Sequence, residues 1–146
     1  MNFANVCCYN KQQIPVEREA MDENSIILFT RYGLGDAPEA LRLNLAVKFL
    51  TLTLESGRLP AKMVFYTEGV RLACHGSPVV ELLQRFESRG VELVLCSTCL
   101  DYFHLHKDVA VGVVGGMTDI LESLQMAGKV ISVWGCASPL IDQNQG

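Results

Sequence analysis

The run Cys96-Ser97-Thr98-Cys99 holds the two residues of this chain best suited to chemistry. It follows Val91-Glu92-Leu93-Val94-Leu95, whose apolar character reads as a strand, and it leads into what reads as a short helical turn. Backbone N–H groups at such a turn favour an anion. A free thiol with a pKa of about 8.5 is mostly protonated at neutral pH, and lowering it by about two units, or roughly 2.7 kcal/mol, makes the thiolate dominant. A thiolate so placed can attack a sulfane sulfur, hold it as a persulfide and pass it on. The same spacing suits thiol–disulfide exchange, with Cys96 attacking and Cys99 resolving. In a third reading both are structural: Cys96 a buried strand residue, Cys99 a small helix residue. Cys96, Cys99, His104 and His106 have the residue types of a zinc site but lack the usual second-pair spacing, and no metal is expected.

Positioning such a pair requires a strand with its carboxyl end at an open sheet edge. Apolar, β-rich runs recur at 25–30, 62–67, 91–96, 109–114 and 129–134, and their continuity suits strands buried on both faces of a parallel sheet. Helical patterns fill most of the gaps. The first should begin at Asp36-Ala37-Pro38-Glu39, with aspartate as N-cap, and stop at Gly57. The second has Ser77 as cap, Pro78 at its start and Gly90 at its end; the third runs through Met117, Ile120, Leu121 and Leu124 to Gly128. The expected fold is an α/β three-layer sandwich around a mainly parallel five-stranded sheet, with its ligand site beyond the carboxyl ends of the strands.

That rule selects the loops at Gly33-Leu34-Gly35-Asp36, 67–76, 96–106, Gly115-Gly116 and Trp134-Gly135-Cys136. Within them, Gly35, Asp36, Glu68, Gly69 and Thr98 are the candidates to bind substrate beside Cys96 and Cys99. Glu68 either orients a substrate or is an exposed turn residue. Asp101 either caps the short helix or tempers a thiolate by like-charge repulsion. Gly33-Leu34-Gly35 lacks a full dinucleotide fingerprint and a basic phosphate ligand, so no cofactor is expected. Its glycines suit a tight strand-to-helix turn. Cys74-His75 lies in a selected loop, with packing the preferred role.

Composition removes other classes. The chain has 146 residues, 49% apolar and 19% charged, enough for one globular domain with a real core. A net charge of −4 without a basic patch argues against nucleic acid or anionic membrane as a partner. No stretch approaches a membrane span, and the start lacks a signal-peptide pattern, so a cytoplasmic location is expected. The six cysteines lie in or beside patterned elements rather than in a secreted disulfide framework. Residues 1–24, with Cys7-Cys8, read as a flexible extension, and 25–146 as the α/β domain. In the first helix Leu41, Leu45, Phe49 and Leu52 form a second apolar row, for which a subunit partner is a fitting cover, so a homo-oligomer is expected.

The segment 91–102 resembles the cysteine segment of YedF-type proteins of the DsrE/DsrF-like family. So do Gly33-Leu34-Gly35-Asp36, the 62–70 run ending Phe65-Tyr66-Thr67-Glu68-Gly69-Val70, Gly76-Ser77-Pro78-Val79 and Ala110-Val111-Gly112-Val113-Val114. The resemblance covers about residues 25–134, in order and spacing. It implies a sulfurtransferase-like fold tied to sulfur or selenium metabolism, often oligomeric, with Cys96 aligned to the relay cysteine and Cys99 belonging to the YedF-like version. Such proteins commonly carry a TusA-like domain first. Residues 1–24 are too short for one, so a separate TusA-like carrier protein is the expected partner. On this reading Cys96, more than Cys99, carries the transferable sulfur as a persulfide. The alternatives are a thiol–disulfide oxidoreductase and a non-enzymatic interaction or regulatory subunit of this fold.

Overall fold

The structure is a computed structural model that describes residues 24–133. The expectations for Cys7, Cys8 and the rest of the extension, and for the Trp134-Gly135-Cys136 loop, fall outside the described residues. Strands β1 (Ser25–Phe29), β2 (Lys62–Phe65), β3 (Glu92–Cys96), β4 (Val113–Gly115) and β5 (Lys129–Ser132) form one sheet in the order β4-β3-β2-β1-β5. Every pairing is parallel. The helices are α1 (Glu39–Ser56), α2 (Val80–Ser88), α3 (Ser97–Phe103) and α4 (Met117–Met126), with 3₁₀ segments at Thr67–Ala73 and His106–Asp108.

Order and handedness set the layers. The chain steps from β1 to β4 in one direction and then returns across the sheet to β5, so right-handed crossovers put the last connection on the opposite face from α1 and α2. Side-chain alternation agrees. Ile26, Lys62 and Glu92 are partners in register and share a face, and Lys62 Nζ on that face donates to Ser123 Oγ of α4 at 2.8 Å. The alternate row, with Ile27, Met63, Leu93, Phe29, Phe65 and Leu95, points the other way and is fully buried. Phe29 and Phe65 stack there with ring centroids 4.9 Å apart. Ala46, Leu50 and Leu54 of α1 and Leu83 and Phe86 of α2 complete that core. At about 25 cal/mol per Å² of apolar surface, such burial is the main source of stability.

Three local expectations are corrected. Asp36 does not cap α1: Pro38 is its N-cap without a side-chain bond, and Asp36 Oδ1 instead accepts from Arg31 at 3.1 Å. The loop before the helix is held from inside α1, where Arg42 donates to the carbonyls of Ala37 (2.6 Å) and Tyr32 (3.2 Å). Ser77 does not cap α2 either. Its hydroxyl accepts from Val79 N–H just ahead of the helix, whose N-cap is Val79. The run 109–114 yields a strand only at Val113–Gly115, because Val109 bridges antiparallel to Cys74 and Ala110 N–H bonds Ala73 O. Gly112, at φ 90°, then turns the chain into β4. Gly57, at φ 75°, closes α1 where the sequence places its end. In the second apolar row of α1, Leu41, Leu45 and Leu52 are exposed and Phe49 is half-buried.

Candidate functional site

Cys96 is the last residue of β3 and the N-cap of α3, so the strand sets its position and the helix begins at once. The register Phe29↔Phe65↔Leu95 brings the ends of β1, β2 and β3 to one level. Cys96 and the Gly33–Asp36 turn therefore leave the sheet at the same edge. Alternation turns the Cys96 side chain to the face of Glu92 and Val94, and Cys96 is 0% exposed. It makes no capping bond to the first amides of α3. The backbone donors expected on its sulfur from the following turn are not used there.

Cys99 sits one turn along α3, half-buried. Its Sγ accepts the backbone N–H of Thr67 at 3.0 Å. The two thiols are free. Burial pushes the Cys99 thiol up, the Thr67 N–H pulls it back, and Cys96 pushes it up again; the net lies above the ordinary thiol value. The sequence argument anticipated a depressed thiol at this turn. In the resting site Cys99 is held protonated, and its thiolate fraction grows as pH rises.

Thr67 is the residue that sequence reading missed. It lies at φ 51°, in the left-handed region that β-branched residues rarely adopt. Its hydroxyl donates toward the carbonyls of Thr30 and Tyr66, the latter at 2.6 Å. Tyr66 N–H bonds Phe29 O at 3.1 Å, after which Thr67 swings the chain out of β2 into the 3₁₀ segment. A sequence signal was available only indirectly, since Thr67 opens a loop at the selected edge but has an unsuitable intrinsic preference for its conformation.

The remaining candidates divide. Thr98 is exposed on the first turn of α3, beside Cys99. Glu68 follows Thr67 and is exposed. Gly69 is buried, and a Cβ there would fall against the Phe29 carbonyl, with the carbonyl carbon 2.7 Å away; its position serves close packing of the 3₁₀ segment on the end of β1. Gly35 and Asp36 lie in the turn after β1, with Asp36 exposed and paired to Arg31. Asp101 Oδ1 accepts from His106 Nε2–H at 2.6 Å on the surface rather than capping α3. His104 closes α3 at φ 57°. Among the described residues no group of three or more His, Cys, Asp or Glu side chains gathers as a metal site. Cys74 is buried, and its thiol donates to Val70 O at 3.3 Å.

The fold and site together define an all-parallel α/β domain with two free cysteines at the carboxyl edge of its sheet. Residues 24–133 match the DsrE/DsrF-like family, and the chain belongs to it. Among solved structures the chain is similar to the ychN protein from E. coli, at 18% identity and a TM-score of 0.57, covering 75% of this chain and 98% of that one. It is also similar to MTH1491 from Methanobacterium thermoautotrophicum, a protein of unknown function, at 17% identity and a TM-score of 0.57, covering 76% and 99%. A third is BT1422 from Bacteroides thetaiotaomicron, a conserved protein of unknown function, at 12% identity and a TM-score of 0.56, covering 80% and 100%. These likenesses establish the fold. No curated protein matches the chain. Among the described residues no helix is long and apolar enough to cross a membrane.

Proposed function

We propose that this chain is a sulfur-relay protein of the YedF type, carrying sulfur as a cysteine persulfide on the Cys96–Cys99 pair and exchanging it with a separate TusA-like carrier in the cytoplasm. The observation that carries this reading is the pair itself: two reduced thiols at the carboxyl edge of the sheet, one sulfur sealed and the other partly open and facing a backbone N–H. A persulfide anion gains from the same donor as a thiolate does. Membership of the DsrE/DsrF-like family supports the chemistry.

Relay needs no net oxidation. A cysteine thiolate attacks the outer sulfur of a donor persulfide, the new S–S bond forms as the donor's breaks, and the donor thiolate leaves with the electron pair. An acceptor thiolate reverses the exchange. Intact-protein mass spectrometry after reaction with a low-molecular-weight persulfide should show one sulfur gained by wild type and removed by a thiol reductant. The Cys96→Ser/Cys99→Ser chain should gain none. Failure of wild type to gain sulfur from several donors, or equal gain by the double variant, contradicts the reading. The Cys-x-x-Cys spacing also suits disulfide exchange, and dithiol turnover without retained sulfur would favour that alternative.

A further inference from the structure

We infer that Cys99, not the strand-end Cys96, is the thiol that receives sulfur, and that Thr67 is the positioning residue that aims a backbone N–H at it. The inference rests on the relay reading and assigns the order within its thiol pair. Three observations lead to it. Cys96 is 0% exposed, so an outer sulfur on a donor has no line of approach to its Sγ without opening the fold. Cys99 is half-buried and so reachable. The one backbone donor on either sulfur among the described hydrogen bonds is Thr67 N–H, 3.0 Å from Cys99 Sγ.

Thr67 supplies that donor through an unfavourable conformation. A threonine at φ 51° is a backbone outlier of the kind that persists only where its surroundings hold it. Here the holding groups are its own hydroxyl contacts with the carbonyls of Thr30 and Tyr66. In this conformation the N–H leaves the sheet edge and crosses to α3. The same donor then serves the successive charged states of Cys99: the attacking thiolate, the persulfide anion and the thiolate regenerated on transfer. In the uptake step the Cys99 thiolate forms the new S–S bond, the donor's S–S bond breaks, and the donor departs as a thiolate that takes up a proton. Cys96 remains an unmodified thiol throughout.

The test combines site mapping with two substitutions at Thr67. After brief treatment of the folded full chain with a low-molecular-weight persulfide, alkylation and peptide mapping should place the added sulfur on Cys99 in wild type, which requires no variant to fold. Cys99→Ala should lose uptake. Thr67→Ala should slow uptake by about fivefold at neutral pH, the rate equivalent of one net hydrogen bond, and move the pH profile of uptake upward. Thr67→Ser, which keeps the hydroxyl, should restore both. Sulfur mapped to Cys96 overturns the order of the thiols while leaving the relay reading intact. No sulfur on either overturns the relay reading itself. Equal pH profiles for wild type and Thr67→Ala, with both folded, overturn the role of Thr67.

Discussion

The 3₁₀ segment Thr67–Ala73 meets a cysteine at each end, and the two meetings run in opposite senses. At its far end Cys74 is buried and gives its S–H to Val70 O at 3.3 Å. At its near end Thr67 gives its N–H to Cys99 Sγ at 3.0 Å. Burial is the leading cause that raises both thiols, joined at Cys74 by the Asp108 charge and at Cys99 by Cys96. What separates them is the role of the sulfur. A donor S–H facing a carbonyl loses its bond on ionisation, whereas a sulfur facing an N–H strengthens its bond when it becomes an anion. Burial raises both thiols alike, and the polarity of the partner is what differs between Cys74 and Cys99.

The largest effect on this contrast is expected from moving the segment that creates it. Gly69→Ala would drive a Cβ against the Phe29 carbonyl, a contact with backbone on both sides that no rotamer relieves. We expect a loss of about 3 kcal/mol in denaturant unfolding and, in the variant that still folds at low temperature, loss of the distinction between Cys99 and Cys74 in alkylation rate. An unchanged unfolding midpoint would show that the 3₁₀ segment is not fixed by its packing on β1.

A smaller effect isolates the structural end. Because the folded state holds Cys74 protonated, its contribution to stability is fully present below the ordinary thiol value of about 8.5 and is lost as pH rises through the higher folded value. Cys74→Ala should cost about 1–2 kcal/mol at neutral pH, through lost packing and the lost S–H bond, and should flatten the fall in stability on the alkaline side. Sulfur uptake should be unchanged. Urea titrations at several pH values check this, and an undiminished alkaline slope in the variant would remove Cys74 as its source.

Much of the architecture was legible because apolar continuity reports burial on both sheet faces. The runs at β1, β2 and β3 show it, whereas β5 is a largely exposed edge strand; the exits of Cys96 and of Gly33–Asp36 at one edge follow from parallel strands. Less was legible wherever a residue is used by something distant in sequence. Val109 and Ala110 look like strand, yet they bond to Cys74 and Ala73. Arg42, an ordinary helix residue by pattern, holds the carbonyls of the preceding loop. Thr67 was hidden by its own chemistry, since β-branched residues favour extended backbone and nothing local marks a left-handed one. The Cys-x-x-Cys pair was visible, but its polarity was not: spacing places the pair, while strand alternation and the crossing from β2 decide which sulfur faces a donor.

The order of reaction of the three described cysteines tests that polarity most directly. Reduced, folded protein would be exposed briefly to a limiting amount of isotope-coded iodoacetamide over a range of pH, quenched in denaturant with the second isotope, and mapped by mass spectrometry. Cys99 should be modified first, at a rate that climbs with pH past the ordinary thiol range, while Cys96 and Cys74 remain protected until the protein unfolds. Modification of Cys96 ahead of Cys99 in the folded chain would contradict the account.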